Sequence, residues 1–296
     1  WLTELSPLAA GVSLGTALDF DGGDDYAIAD GVPGWGDGDA TVEAWFRKTL
    51  TSAETMTLLS RGLTWTGTPA YAGYQIVSAD GQIEFSAQGD QGYYVNVSAA
   101  EPSAGGWHHV AGVLDRSAGE MRLYLDGRLA ATTPFDEFGS PDTDAPLTVG
   151  AIYLPDWRYA LYGGQVDEVR VWTVARSEAE LAAAMNLGLA GDEPGLAGYW
   201  RFDEGQGATA YDASGNGNPL SLGGGNASAS PGWTAAGAPM TNTVRVVYHD
   251  VVGLDAATVT DIENYVLWAS ADGVWGNGDD LDVSDHLLSV HYPYPD

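Results

Sequence analysis

The sequence predicts an all-β protein, an antiparallel sandwich with one short helix, and three observations support this prediction. Short segments rich in β-branched and aromatic residues recur along the chain, with turn-forming residues between them. The 40 glycines and 14 prolines favour many turns and little helix. Asp80-Gly81 and Asp126-Gly127 each join two such segments, which is a strong signal for a β-hairpin. Because no long helical stretch separates the strands, we expect antiparallel sheets and not a βαβ fold.

The predicted strands follow one another closely along the chain. They are ALDF, TVEAWFRK, YQIVSADGQIEFSAQ, GYYVNVSA, HHVAGVLD, EMRLYL, RLAATT, LTVGAIY, GGQVDEVRVW and GLAGYWRFD. A single helix is predicted after the ninth of these, because residues 177–180 (SEAE) form a capping box in which serine and glutamate satisfy free N–H groups. Leu181, Ala184 and Met185 then provide an apolar face, and Gly188 is placed to end the helix.

The composition is strongly acidic and lacks cysteine. The 296 residues carry a formal net charge of −30, with 41 Asp and Glu against 11 Lys and Arg. Such a surface repels nucleic acid and anionic membranes, because phosphate binding requires clustered Lys and Arg. No apolar run reaches the length that spans a membrane, and no disulfide can form. Two interpretations of the acidity remain open: a solvated acidic surface, or loops whose carboxylates bind a hard cation such as Ca²⁺.

Six motifs occur in order between residue 17 and about residue 235. They are ALDFDGGDDY at 17–26, TVEAWF at 41–46, GWHHVAGVLD at 106–115, LYLDGR at 123–128, VDEVRVWTVARS at 166–177 and GYWRFDEGQGATAYDASGNGN at 198–218. Together they resemble the laminin-G-like, concanavalin A-like jelly-roll domains of bacterial secreted and surface proteins. The resemblance implies two curved antiparallel sheets packed face to face, an extracellular role in binding or adhesion, and frequently bound calcium.

Three segments are predicted from the positions of these motifs. Residues 17–240 form the jelly roll, and residues 1–16 form an apolar N-terminal arm that is a candidate donor strand. Residues 241–296 form a small C-terminal β segment, which resembles the opening half of an immunoglobulin-like repeat through NYVLWASADGVWGNGDDLDVS. The chain starts at Trp1 without a leader, so either a signal peptide has been removed or the numbering starts inside a longer protein.

The arm and the tail together predict assembly. A complete immunoglobulin-like sandwich needs about seven strands and roughly 100 residues, so the tail is expected to expose an unpaired edge. An arm from another copy would cover that edge by strand addition, and we expect it to bury four apolar side chains, Leu5, Leu8, Val12 and Leu14. Such a head-to-tail contact propagates into a filament unless it closes into a ring. The alternative is that the arm packs on its own sandwich.

Two acidic loops are predicted to bind calcium. Asp21, Asp24 and Asp25 lie beside two glycines, and the resemblance implies that this loop approaches the DEVRVW strand, where Asp167 would complete the site. Asp167 and Glu168 are consecutive on that strand, so they are expected to point to opposite faces. The second loop offers Asp272, Asn277, Asp279, Asp280 and Asp282 among three glycines, without the EF-hand spacing. The alternatives are a polar turn that caps the sandwich and a solvated hairpin loop.

A set of aromatic residues lies in or beside the predicted loops. Exposed aromatic side chains form the platforms of sugar-binding sites, and simple packing of the loops is the alternative explanation. The candidates for such a platform are Trp65, Tyr93, Tyr94, Trp157 and Tyr159.

Catalysis finds little support in the sequence. Residues 11–15 (GVSLG) match the pattern of serine hydrolases, but the strand-turn-helix context that this pattern needs is absent. No series of spaced carboxylates lies along one strand, as a glycosidase on this type of sandwich would need. We therefore expect that the chain is not an enzyme.

These observations favour a non-catalytic, extracellular, calcium-stabilised adhesion or assembly module of a cell-surface or fibrous structure. Its partners would be other copies of itself or other surface proteins. The alternative is a carbohydrate-binding module of a secreted multidomain enzyme, with glycans as the ligands. Nucleic acid is excluded as a partner by the charge.

Overall fold

The computed structural model describes residues 4–5, 15–50, 55–62, 72–136, 139–154, 157–235, 237–239, 268–269, 281–282 and 290–291. The chain divides into two compact units. The first, here called the sandwich unit, comprises Gly15–Met185 and Leu189–Ala238, and the second comprises the two ends of the chain with residues 186–188. The described residues include one α-helix and 22 strands, numbered β1 to β22 in chain order. The predicted all-β sandwich with one short helix is confirmed.

The first sheet of the sandwich unit is antiparallel. Its strands run in the spatial order β11-β10-β9-β4-β15-β2-β19, and β16 also pairs with β15. They are β2 (Ala17–Asp21), β4 (Ala40–Lys48), β9 (His108–Asp115), β10 (Glu120–Leu125), β11 (Arg128–Pro134), β15 (Gly163–Trp172), β16 (Leu196–Trp200) and β19 (Gly232–Thr234).

The second sheet lies against the first and is also antiparallel. Its spatial order is β17-β18-β3-β12-β5-β6-β7-β8. The strands are β3 (Ala27–Ala29), β5 (Met56–Arg61), β6 (Gly73–Ala79), β7 (Gln82–Gln88), β8 (Tyr94–Ala100), β12 (Leu147–Val149), β17 (Thr209–Ala210) and β18 (Leu220–Leu222). A separate hairpin joins β13 (Ile152–Leu154) to β14 (Trp157–Tyr159).

The main core fills the space between the two sheets. Alternate residues of each strand point into it, so that Val42 and Phe46 of β4 belong to the same buried cluster as Phe85 of β7. Gly112 of β9 faces Phe85, whose ring occupies the space that a Cβ at this position would need. Glycine therefore lets the two sheets approach closely here.

The helix α1 (Glu178–Ala184) covers the outer face of the first sheet. The predicted capping box is present, with Ser177 and Glu180 bonding each other's backbone N–H groups. Leu181 is buried in a cluster with Ala111 and Tyr124 of the outer face. The helix ends at Ala184 with Met185 as its C-cap, before the predicted end at Gly188. The Met185 carbonyl accepts a hydrogen bond of 2.7 Å from Trp45 Nε1. Helix and sheet are thus joined by apolar packing and by a hydrogen bond.

A buried carboxylate lies on the outer face of the first sheet, where Glu43 of β4 is 1% exposed. Its Oε1 accepts a hydrogen bond of 2.7 Å from Trp172 Nε1, and its Oε2 lies 2.9 Å from His109 Nε2. Arg170 Nη1 lies 3.8 Å from Oε1. Burial raises the pKa of Glu43, but His109 and Arg170 outweigh it and lower the pKa to about 2.

The second unit contains two short strand pairs in its described part. Here β1 (Glu4–Leu5) pairs with β22 (Val290–His291), and β20 (Trp268–Ala269) pairs with β21 (Leu281–Asp282). The resemblance of the tail to an immunoglobulin-like repeat, and the predicted boundaries at 16 and 240, stay predictions.

We predict that Glu43→Gln destabilises the sandwich by about 3–5 kcal/mol at pH 7, because it removes one member of a buried charge network. A pKa lowered to about 2 from its ordinary value of 4.5 means that this stabilisation is complete above pH 4.5 and is lost as pH falls towards 2. The difference between wild type and variant in denaturant unfolding should therefore shrink at low pH.

The exposed Glu178→Gln on α1 is the matched control and should change stability little at either pH. A loss of stability for Glu43→Gln that is no larger than for the control would contradict the role given to the network.

Candidate functional site

The candidate site is the loop that follows β2. Leu18 and Phe20 of this strand point into the core, so Asp21 points outward at the strand's end. Gly22 then turns the chain with a φ of 76°, a left-handed conformation that favours glycine. The loop returns through Asp24, which is exposed, to Asp25, which is 7% exposed. The turn is therefore what brings three carboxylates together.

The three carboxylates converge. One ligand oxygen from each of Asp21, Asp24 and Asp25 lies within 4.8 Å of the others. Asp25 is held in place because its Oδ2 accepts a hydrogen bond of 2.9 Å from Asp21 N. Asp21 Oδ1 in turn accepts one of 2.6 Å from Gly23 N. These bonds orient the carboxylates from the backbone and leave oxygens available to a ligand.

The ionised form of Asp25 is disfavoured at its place in the loop. Burial raises the pKa of Asp25, the Asp21 N–H lowers it, and the charges of Asp21, Asp24 and Asp19 raise it further. None of the ion pairs within the described residues includes a carboxylate of this loop. A donor set of carboxylate oxygens suits a hard cation such as Ca²⁺.

Asp167 lies apart from this loop. Strand β2 pairs with β15 so that Gly163 faces Asp21, whereas Asp167 comes four residues later along β15. It is 2% exposed, its Oδ1 accepts a hydrogen bond from Glu168 N, and its Oδ2 accepts one of 2.7 Å from Ala238 N. We therefore leave Asp167 out of the group of carboxylates at the β2 loop, although the resemblance had implied that it belongs there.

The predicted alternation of Asp167 and Glu168 is broken by a β-bulge. The register of β15 against β4 shifts between Asp167 and Arg170, and Glu168 adopts a φ of 52°. Neither carboxylate faces solvent, because Glu168 is 4% exposed and its Oε2 accepts hydrogen bonds of 2.6 Å from Arg170 and from Tyr199. Simple strand periodicity could not predict this, since a bulge depends on the neighbouring strands.

The second acidic loop lies almost entirely outside the described residues. This holds for Asp272, Asn277, Asp279 and Asp280, while Asp282 is the last residue of β21. A calcium site in this loop stays a prediction.

The assembly residues also fall mostly outside the described part. Leu8, Val12 and Leu14 lie there, whereas Leu5 belongs to β1 and pairs with Val290 of the same chain. The pairing that the structure describes is therefore intramolecular. Strand addition to a second copy stays a prediction.

Three of the five candidate platform aromatics have a described environment. Tyr93, Tyr94 and Tyr159 are 52%, 50% and 46% exposed. Trp157 belongs to β14, and Trp65 lies outside the described residues. Of the three, Tyr94 is held by a polar neighbour, because its hydroxyl donates a hydrogen bond of 2.9 Å to Glu84 Oε1.

Two polar residues beside Tyr94 were missed by the analysis of the sequence. Asn96 Nδ2 donates a hydrogen bond of 2.9 Å to Glu84 Oε2, so one carboxylate holds both Tyr94 and Asn96. A signal was present, because YVNVS and QIEFS alternate and place their polar residues on one face of a predicted hairpin. The register of that hairpin was needed to bring the three residues together.

Comparison with known proteins supports the fold. A family model described as the concanavalin A-like lectin/glucanases superfamily matches residues 21–182. No curated protein matches the chain significantly. Among solved structures, a candidate carbohydrate-binding protein from Bacteroides ovatus ATCC 8483 is 23% identical with a TM-score of 0.59, covering 77% of this chain and 62% of that chain. The match therefore spans less than two thirds of that protein.

Two other solved structures are more distant. The CBM40 domain of a Ruminococcus gnavus IT-sialidase bound to α2,3-sialyllactose is 16% identical with a TM-score of 0.47, covering 58% of this chain and 98% of that chain. A heptameric SAP-like pentraxin from Limulus polyphemus is also 16% identical, with a TM-score of 0.48 and coverages of 72% and 96%. Within the described residues, no helix has the length and apolar character needed to cross a membrane.

We predict that the Asp167 carboxyl makes the sandwich less stable as pH rises. Burial raises the pKa of Asp167 well above its ordinary value, and the charges of Glu168 and Asp203 raise it further. The folded state then binds this proton more tightly than the unfolded state, so the stabilisation present at low pH is lost as pH rises through the folded pKa. The measurement is the free energy of unfolding at pH 4.5 and at pH 7.5. Relative to wild type, Asp167→Asn should be more stable at pH 7.5 than at pH 4.5.

Asp115→Asn is the control with the opposite sign. Burial raises the pKa of Asp115, but bonds from Ser117, Ala118 and Arg122 together lower it. Wild type should therefore gain stability over this variant only as pH rises to the ordinary value of 3.8, and the difference between them should stay nearly constant from pH 4.5 to 7.5. If the difference between Asp167→Asn and wild type does not change with pH, the account of Asp167 is wrong.

Proposed function

The chain belongs to the concanavalin A-like lectin/glucanases superfamily, and from that starting point we propose that it is a non-catalytic, extracellular, calcium-stabilised adhesion or assembly module. The observation that supports the calcium most directly is the convergence of Asp21, Asp24 and Asp25 within 4.8 Å. Three carboxylates at this separation repel one another, and a bound cation converts that repulsion into attraction.

Calcium fits this loop better than magnesium or a transition metal. The donors are carboxylate oxygens on a glycine-containing turn, and Ca²⁺ accepts six to eight oxygens in a flexible geometry. Magnesium demands a near-ideal octahedron. The ion would neutralise the loop at the end of β2, which is the strand that connects β15 to β19 in the first sheet.

The buried carboxylates of the sandwich support a non-catalytic role. Glu43, Asp167 and Glu168 are each at most 4% exposed, so a bulky substrate would not reach them. Each of them accepts hydrogen bonds from neighbouring groups of the fold. A glycosidase needs two accessible carboxyl groups on opposite sides of the scissile bond. These three buried groups are therefore unsuited to that task.

Carbohydrate binding is the second candidate function. The observation that favours it is Tyr94, which is 50% exposed although its hydroxyl is bonded to Glu84. An aromatic ring that is both exposed and fixed offers a surface at low entropic cost. The superfamily includes lectins by its description, and this second function is compatible with adhesion to a glycan-coated surface.

We predict that calcium raises the thermal midpoint of unfolding and that chelator lowers it. A ligand that binds only the folded state stabilises it by about 2.7 kcal/mol at a hundred times its Kd. Asp24→Asn should reduce the calcium-dependent shift, because Asp24 is an exposed member of the loop. Differential scanning calorimetry at low salt, with and without chelator, provides the measurement.

Asp80→Asn is the matched control, because Asp80 is an exposed aspartate of the hairpin between β6 and β7. It should keep the full response to calcium. An unchanged midpoint in wild type contradicts bound calcium, and a full response in Asp24→Asn contradicts its location in this loop.

We predict that the full chain forms oligomers in calcium and that removal of residues 1–14 leaves a folded monomer. The deletion stops before Gly15, because Gly15 O accepts a hydrogen bond of 3.1 Å from Gly237 N in the sandwich unit. Analytical ultracentrifugation with calcium and with chelator provides the measurement. A full chain that stays monomeric at high concentration with calcium would rule out assembly through the arm.

A further inference from the structure

The outer face of β6, β7 and β8 carries a polar surface that no comparison assigns. The register places Gln75 of β6 opposite Ser86 of β7, and Ser86 opposite Asn96 of β8. Paired residues of antiparallel strands share a face, so these three side chains form one row across the sheet. Glu84 lies on the same face, two residues from Ser86 along β7.

Tyr94 lies along this surface and does not stand upright on it. Its backbone pairs with Gln88, but its hydroxyl reaches Glu84, four residues away along β7. A side chain that spans this distance must run parallel to the strand, over the position of Ser86. Ser86 is accordingly buried. It lies close enough to the Tyr94 hydroxyl to lower the pKa of Tyr94, but partial burial of Tyr94 outweighs this and raises that pKa to about 12. Tyr94 as a whole residue nevertheless remains 50% exposed.

Glu84 fixes this arrangement and retains acceptor capacity. Each of its two oxygens accepts one hydrogen bond of 2.9 Å, from Tyr94 and from Asn96. Each carboxylate oxygen has a second lone pair, which can accept a bond from a ligand hydroxyl. The Asn96 amide also has a second N–H and a carbonyl oxygen. A flat ring is thus bordered by groups that accept and donate hydrogen bonds.

The inner end of the row contains an unpaired acceptor. Gln75 is 4% exposed, and its Oε1 has no hydrogen-bond partner among the described residues. A buried polar atom without a partner carries an uncompensated desolvation cost. Because so little of Gln75 is exposed, this acceptor lies out of a ligand's reach and bounds the surface at this end.

The charge of the surface selects among ligands. The outward residues of β6, β7 and β8 include Glu84 and no Lys or Arg. The whole chain carries a formal net charge of −30. An anionic ligand would therefore meet repulsion without a compensating cation.

We propose that this surface binds an uncharged glycan, whose sugar ring stacks on Tyr94 while its hydroxyls bond to Glu84 and Asn96. A sugar presents both features that the surface matches, an apolar C–H face and hydroxyls at its rim. The inference rests on the second candidate function, glycan binding, and is independent of the calcium loop.

The test uses the full chain with calcium on an array of neutral oligosaccharides: linear glucans, xylans, mannans and galactans. The same cores capped with sialic acid or a uronic acid stand beside them. We expect binding to at least one neutral glycan, and binding that is at least about tenfold weaker to its acidic counterpart.

Tyr94→Ala should weaken binding to the neutral glycan about tenfold or more, because truncation of a central aromatic removes most of its contact area. Tyr94→Phe keeps the aromatic ring, so it should lose less glycan affinity than Tyr94→Ala does.

Tyr211→Ala is the matched control, because Tyr211 is 67% exposed and lies outside this surface. It should bind like wild type, and all variants should unfold at the wild-type temperature. Glycan binding that survives Tyr94→Ala overturns the site while leaving glycan binding intact. Equal or tighter binding of the acidic glycans overturns the selectivity for uncharged ligands. Failure to bind any glycan overturns both the site and the second candidate function.

Discussion

The scarcity of basic side chains constrains this structure, because the chain has 41 acidic residues and only 11 basic ones. A carboxylate in such a chain has four ways to be stabilised. The first is to face solvent, the second is to pair with a basic side chain, the third is to accept hydrogen bonds from neutral groups, and the fourth is to bind an external ion. The buried carboxylates use the second and third solutions. Glu43 combines Arg170 with His109 and Trp172, and Glu168 combines Arg170 with Tyr199. One buried arginine thus serves two carboxylates beneath the helix.

Three other basic residues of the described part are engaged away from the acidic loop. Lys48, the chain's single lysine, is 8% exposed and forms an ion pair of 2.8 Å with Glu101. Arg61 donates to the backbone carbonyls of three loop residues, and Arg122 pairs with Asp115 and Glu120. None of the described ion pairs includes Asp21, Asp24 or Asp25, and this agrees with the proposal that an external cation binds this loop. The same constraint leaves the Tyr94 surface with a carboxylate and no cation, which is the basis of its proposed selectivity.

Local patterns predicted what depends on local physics. The capping box at Ser177, the hairpin at Asp80-Gly81 and the turn that gathers Asp21, Asp24 and Asp25 are all visible in consecutive residues. The bulge at Glu168 was not visible, because it arises where β15 changes neighbours from β2 to β16. The grouping of Glu84, Tyr94 and Asn96 was likewise hidden, since it depends on hairpin register and on a side chain lying along the strand. Tertiary pairing therefore decided which of the predicted site residues came together.

The most direct test of the central claim is an anomalous diffraction measurement on crystals grown in calcium. The account predicts a peak at the β2 loop, with carboxylate oxygens of Asp21, Asp24 and Asp25 at about 2.3–2.6 Å from the ion. The Asp167 carboxylate should lie apart from this peak and keep its bond to Ala238. Calcium-saturated crystals in which the loop is ordered and has no peak would contradict the claim that this loop relies on an external cation.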